Sequence, residues 1–437
     1  MNGITAFVDG SNIYGSDVER SKQLRALTDG LLKINDKKGL QATNLPTRKQ
    51  CGFSSSVNDL VAGDVRAIVQ PTLASMHTLF LSEHNRIAEK LEEEFIKRDV
   101  LSSLSKAEVD DLIFEETRKI IGGILQKIVY KDYLPIILGS KALADSGLDF
   151  TDSTTYNPQT DPSIFNEFAT VAYRFGHSTV SDTFDGVFPW SLKKHFFNSF
   201  SQPDFFITGL NGKAWKKEIT GAIKQTCPRN DLIVGDALRN NLFTHKEDIV
   251  ARNLQRGREH GIPSYAELRI HCNLSPLNGN RRPEEITAET WLKLLATYED
   301  NAFDIDAFTG GLAEVAPADG VVGPLFACII GKQFSNLMSG DRFFFTHNYE
   351  NQARGLGENT KRSVLGRTLG HIICDNTEAK LTQEDVFKKS TGQSGSNPDE
   401  NCANINDLDF GGCVQDFIGA GCTVVLLKYS TNYILFR

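Results

Sequence analysis

Apolar residues recur at three- and four-residue intervals along much of the chain, the period of a helix with one buried face. Residues 76–95 place Met76, Leu79, Phe80, Ile87, Ala88, Leu91 and Phe95 on one side, with Glu and Lys on the other, which predicts a helix. Ser105 and Glu108 have the spacing of a capping box, in which each side chain satisfies the other's free backbone N–H. The helix they open carries Val109, Leu112, Ile113, Ile120, Ile121, Leu125 and Ile128 toward Pro135, whose missing N–H disfavours continuation. Further amphipathic stretches cover residues 163–177, 231–256, 288–299 and 382–389. Period-two alternation is short and scattered, so strands are few. The Gly-, Ser- and Asn-rich stretch 390–401 predicts a mobile loop, and no repeat or linker divides the chain. The pattern therefore predicts one large, mainly α domain with long loops and very little β.

At 437 residues the chain could hold two or three average domains or one large one. Hydrophobic residues make up 40% and charged residues 23%, enough apolar surface for a packed body and too much for wholesale disorder. The 47 Lys and Arg against 55 Asp and Glu leave a net charge of −8, with no long basic run, which speaks against a nucleic-acid partner. No apolar run approaches the ~18 residues needed to cross a bilayer. The opening residues, Met1 to Gly10, read as neither signal nor transit peptide and enter structured core directly.

The eight cysteines, 51, 227, 272, 328, 374, 402, 413 and 422, form no CxxC pair, against zinc knuckles and thioredoxin-type motifs. They read either as buried free thiols or as structural disulfides. The clustering of five of them after residue 320 favours disulfides and an oxidising compartment. One glycosylation sequon, Asn273-Leu274-Ser275, directly follows Cys272 and agrees with secretion.

Several chemistries are excluded by motif. The chain has no GxxxxGK[ST] phosphate loop, no HExxH zinc helix and no GxSxG nucleophile elbow. His77 and His84 lie seven apart on one helical face and could share a metal, but without a third ligand nearby they read as packed or capping residues. His177 stands apart in Tyr173-Arg174-Phe175-Gly176-His177, with an arginine one turn back and a glycine beside it. Glycine costs a helix about 1 kcal/mol relative to alanine, so it often marks where something bulky approaches the backbone. This motif alone leaves a ligand and a satisfied core histidine equally open.

Segments spread along the chain resemble, in order, the animal haem peroxidase family. They are Thr5-Ala6-Phe7-Val8-Asp9-Gly10-Ser11 with Ile13-Tyr14-Gly15-Ser16, then Ala62-Gly63-Asp64-Val65-Arg66, then 75–86. Tyr130 to Pro135, Tyr173 to His177 and Asn253 to Gly261 follow, and the last are 323–331, 340–343 and 373–377. The resemblance spans nearly all 437 residues. It implies a peroxidase that reduces hydrogen peroxide and oxidises a phenolic or halide donor with haem b.

The resemblance implies roles residue by residue. His177 is the proximal ligand of the haem iron, and Asn253 accepts its other ring N–H, fixing the tautomer. Arg174 and Arg256 pair with haem propionates, as a planar bidentate donor can. Arg66 is the distal arginine, a permanent cation beside the leaving oxygen of peroxide. Thr5, Asp9 and Ser11 with the Phe7 carbonyl form a calcium loop, although Asp-Gly-Ser alone is only a turn former. Cys272–Cys328 and Cys374–Cys402 match disulfides of the family, Cys413–Cys422 is a third candidate pair, and Cys51 and Cys227 are left over. A secreted, extracellular protein is implied.

Two departures stand beside these matches. The family's distal histidine, with the calcium-ligating aspartate that follows it, lies upstream of the TAFVDGS segment, so its place falls before Met1 and peroxide activity is expected to be impaired. Where members carry an ester-forming glutamate or a sulfonium-forming methionine, this chain has Val69 and Gln70, so non-covalent haem is expected. The alternative class is a weakly active pseudoperoxidase serving as an extracellular adhesion or binding module.

Overall fold

The structure is a computed structural model describing residues 3–35, 44–53, 60–183, 212–243, 245–349 and 354–420. Its helices in chain order begin with α1 (Ser11–Tyr14), α2 (Val18–Leu24), α3 (Pro71–Lys97), α4 (Lys106–Lys127), α5 (Leu134–Asp145) and α6 (Asn166–Thr170). After them come α7 (Ala214–Ala222), α8 (Asp236–Arg239), α9 (Ile249–Glu259), α10 (Tyr265–His271) and α11 (Ala288–Thr297). The last are α12 (Ala307–Ala313), α13 (Pro324–Gly340), α14 (Glu358–Leu365), α15 (Leu369–Asn376) and α16 (Phe410–Gly419). Only β1 (Leu381–Gln383) and β2 (Asp399–Asn401) pair as strands among the described residues, antiparallel, with Leu381 opposite Asn401. The fold is mainly α, as the pattern predicts, and none of the described helices is long and apolar enough to cross a membrane.

Helix α3 starts five residues before the predicted span, because Gln70 caps it by accepting from Thr72 N–H at 2.8 Å and Pro71 takes the first position. Proline costs nothing there, since that N–H has no intrahelical acceptor. The capping box of α4 forms as expected, with Ser105 N–H on Glu108 Oε2 at 2.9 Å. Pro135 does not end the run. A π-helical turn over Ile128–Tyr133 absorbs the change of register, and Pro135 sits in the first turn of α5. The 163–177 stretch splits into α6 and a 3₁₀ turn over Ala172–His177, and 231–256 splits into α8 and the start of α9.

The predicted helix at 382–389 is wrong: its first residues belong to β1. Nor is 390–401 a loose loop. Asn397 Nδ2 donates to the carbonyls of Asp385 and Lys388 at 2.9 and 3.0 Å, Asn397 O accepts from Thr391 N–H, and β2 closes the hairpin.

One contiguous apolar core runs from Ile13 to Phe417 through α3, α4, α5 and α13. A charged knot fastens α3 to α15. Glu83, with no exposed surface, accepts from Arg86 at 2.8 Å, Asn376 at 2.8 Å and Arg367 at 3.2 Å. Arg367 also pairs with Asp375, and Arg86 reaches Asp407 at 2.7 Å. Disulfides join Cys272 to Cys328 and Cys374 to Cys402. Cys413 is instead a free, buried thiol, turned into the core on the inner face of α16, and burial pushes its pKa up to about 11. Its expected partner Cys422 lies outside the described residues. Cys51 and Cys227 are free, the first buried and the second exposed.

Candidate haem site

The 3₁₀ turn Ala172–His177 opens where Val171 leaves helical geometry at φ −128°, ψ −76°. It ends on His177, whose Nδ1 lies 2.8 Å from Asn253 Nδ2. Nε2 of the same ring makes no hydrogen bond to any described residue. Burial, with the Arg174 cation adding to it, pushes the His177 pKa down to about 4, so the ring is neutral near pH 7. A methyl group placed on Gly176 would meet no described atom within 4 Å, so the backbone next to the imidazole is open. A neutral imidazole whose Nε2 meets no described partner can serve a metal once its proton sits on Nδ1.

Asn253 is the one buried residue of α9, a helix capped by Asp248, whose Oδ1 accepts from Val250 and Ala251 at 2.7 and 3.2 Å. A wholly buried amide on a helix that is otherwise half in water has to be spent on polar partners. It holds two: His177, and Arg174 Nη1 at 2.9 Å from Oδ1. Arg174 also donates from Nε to Ala169 O at 3.0 Å. No described carboxylate pairs with it, while burial and the nearby Arg256 hold its pKa down. Among the described residues Arg256 pairs with Glu259 alone, at 4.0 Å. Two neighbouring guanidiniums with so little compensating charge fit an anion such as a pair of carboxylates.

The remaining predicted residues stand elsewhere. Arg66, in a 3₁₀ turn over Val65–Ile68, is folded back on Asp64, with Nε 2.9 Å from Oδ1 and Nη2 2.5 Å from Oδ2. Its side chain is 64% exposed, and its hydrogen bonds lower the Asp64 pKa. Sequence reading did not foresee that clamp, although the two-residue spacing carried the signal. Gln70, noted only for what it cannot bond, turns out to cap α3.

In the TAFVDGS loop, Asp9 Oδ1 accepts from Ser11 N–H at 2.9 Å and Thr5 Oγ1 from Phe7 N–H at 3.2 Å. Thr5 and Asp9 line a cavity of about 200 Å³ that Asp17, Glu115 and Glu116 also border. The donor set is all oxygen and suits a hard cation, but no three acidic, imidazole or thiol side chains converge as a metal site among the described residues. His77 and His84 share no ligand. His77 Nδ1 sits 2.8 Å from Leu73 O, and His84 spans Gly30 O and the Tyr14 hydroxyl, both at 2.9 Å, so the packed reading holds.

Comparison with known proteins agrees with this geometry. The profile of the family described as animal haem peroxidase matches residues 1–387. Peroxidasin homolog pxn-2 of Caenorhabditis elegans is 35% identical over 409 residues, covering 89% of this chain and 29% of that protein. Thyroid peroxidase of Canis lupus familiaris is 31% identical over 93% of this chain and 44% of its own length. Mouse (Mus musculus) myeloperoxidase is 32% identical over 90% of this chain and 55% of its own. The chain thus spans between about a third and somewhat over half of these curated relatives. Peroxidase A from Dictyostelium discoideum superposes with a TM-score of 0.71 at 29% identity, over 88% of this chain and 71% of that one. A fatty acid alpha-dioxygenase of Arabidopsis thaliana, at 18% identity and TM-score 0.62, covers 87% of this chain and 63% of its own and shares the fold alone. The profile covers residues 1–387, and the chain belongs to the animal haem peroxidase family.

Proposed function

We propose that this chain binds haem b without a covalent link and uses it to reduce hydrogen peroxide while oxidising a phenolic or halide donor. The observation that carries the reading is a neutral His177 held at Nδ1, with no described partner at Nε2, beside Arg174, which pairs with no described carboxylate, and Arg256, which meets Glu259 only at 4.0 Å. His177 offers Nε2 to the iron, Asn253 orients the ring, and Arg174 and Arg256 hold the propionates. Haem supplies the redox chemistry when bound, taking peroxide to water and recovering the electrons from the donor. Arg66 stabilises charge on the departing oxygen once it leaves Asp64. Val69 and Gln70 offer no ester or sulfonium bond, which supports non-covalent binding. Thr5, Asp9, Ser11 and the Phe7 carbonyl hold calcium, with carboxylates of the adjoining cavity at hand. Extracellular residence is supported by the two disulfides and by Asn273, exposed in a left-handed turn (φ 55°) after α10.

A second reading, a pseudoperoxidase acting as an extracellular binding module, draws support from Arg66, which is exposed and turned away onto Asp64. Titration with haem tests the first. The wild type should develop a Soret band, and His177→Ala should lose it while keeping its far-ultraviolet circular dichroism. Unchanged haem affinity in His177→Ala would refute the axial role. A Soret band with no spectral response to peroxide would favour the second reading.

A further inference from the structure

The hydrogen bonds around Asn253 determine where the proton of His177 sits. Arg174 Nη1 lies 2.9 Å from one end of the Asn253 amide, and His177 Nδ1 lies 2.8 Å from the other. A guanidinium only donates, so the amide atom facing it has to be the oxygen. The end facing His177 is then the NH₂ group, which donates to Nδ1. A ring nitrogen that accepts carries no proton, so the neutral imidazole bears its hydrogen on Nε2. Axial ligation through Nε2 needs the opposite tautomer, with N–H on Nδ1 and an acceptor facing it.

We infer that Arg174 sets the tautomer of His177 through Asn253, and that carboxylates drawn to Arg174 and Arg256 free the amide to turn over and ready His177 for iron. The inference rests on the haem reading above. Once the guanidinium bonds a carboxylate, nothing holds Oδ1 toward residue 174. A half-turn of the amide then brings Oδ1 to Nδ1, and the imidazole exchanges its Nε2 proton for one on Nδ1 through water, with no change in charge. The half-turn exchanges two ends of equal size about one bond, and a cavity of about 220 Å³ borders Asn253, lined also by Val171, Leu254 and Gly257. Arg256, in the same helix as Asn253 and close enough to Arg174 to lower its pKa, lets two carboxylates be drawn together. Arg174 is thereby a positioning residue for the ligand as well as an anchor. Capture of the acidic edge and ligation of the metal become one coupled event, and a porphyrin lacking free carboxylates is selected against.

Nitrogen-15 histidine labelling tests the tautomer without any metalloporphyrin. The two-bond proton–nitrogen correlation of His177, assigned by its loss in His177→Gln, should show Nε2–H in the wild type. Arg174→Lys, still only a donor, should keep that tautomer, and Arg174→Leu should shift the population toward Nδ1–H. Nδ1–H in the wild type, or no change in Arg174→Leu, overturns the inference. In a second arm, haem and its dimethyl ester are mixed with protein and the axial band is followed in time. The ester should ligate the wild type more slowly by about tenfold, the factor expected for one charge-assisted hydrogen bond left in place, and the gap should close in Arg174→Leu. Equal rates in the wild type overturn the coupling. Failure of both porphyrins to bind refutes the haem reading and the coupling with it, whereas the labelled spectra separately decide whether Arg174 controls the tautomer.

Discussion

Arg66 and His84 are each held by side-chain hydrogen bonds, Arg66 at the surface and His84 in the core. In the proposed role Arg66 must give up Asp64 to act on peroxide, and exposed pairs of this kind are worth little, so the arginine is available at small cost. Arg66→Ala should leave haem affinity intact and lower the second-order rate with peroxide by about tenfold or more, while Asp64→Asn should not. Equal rates in Arg66→Ala and wild type would remove the arginine from the site. His84 is buried between Gly30 O and the Tyr14 hydroxyl, and burial holds its pKa down to about 4. A histidine lowered on folding binds its proton more readily in the unfolded chain, so its stabilising contribution is full above about pH 6.5 and is lost as pH falls from there toward 4. The shift corresponds to about 3 kcal/mol, and His177 adds a loss of the same sign. Urea midpoints between pH 7 and 4 should fall for the wild type and fall less steeply for His84→Gln. Parallel slopes would contradict the assignment. The contact between His177 and Asn253 was legible through motif resemblance. The Arg174–Asn253 bond was not, because the resemblance gives Arg174 only a propionate partner and nothing in the sequence turns its guanidinium toward the amide.

At the scale of elements, legibility followed length. α3 and α4 run for 27 and 22 residues, long enough for the helical period to stand out. β1 and β2 have three residues each, too few for alternation to register, and Val386 and Phe387 next to them mimicked one helical face. The π turn at Ile128–Tyr133 escaped for a different reason: Pro135 signals a break, whereas the backbone instead changes pitch ahead of it. The joint between α3 and α15 depends on Glu83, whose partners span residues 86 to 376. Glu83→Ala leaves Arg86 and Arg367 without their shared buried acceptor, and removing one member of such a set typically costs about 3–5 kcal/mol. The expected outcome is a lower urea midpoint with unchanged slope on denaturant. A loss under 1 kcal/mol would mean that Asp375 and Asp407 suffice to hold both arginines.

Across the whole molecule, the two disulfides tie the later helices to each other and to the hairpin. Cys272–Cys328 links the end of α10 to α13, and Cys374–Cys402 links α15 to the turn after β2. They close loops of 56 and 28 residues, for which the chain-entropy account gives roughly 4 kcal/mol each. For a chain of this length, that sum corresponds to a fall in Tm on the order of 5–10 °C when both are reduced. The contributions should be nearly additive, because the bonds share no residue and constrain different helices. The free cysteines sharpen the measurement. Cys227 is exposed and should react with a thiol reagent in the native state, while burial shields Cys51 and keeps Cys413 protonated. Cys374→Ser/Cys402→Ser should therefore lower Tm by about half the fully reduced amount and leave the rate of the Cys227 reaction unchanged. If that variant instead exposes Cys413 to the reagent, the bond also holds α16 against α14 and α3, and its worth exceeds loop closure alone.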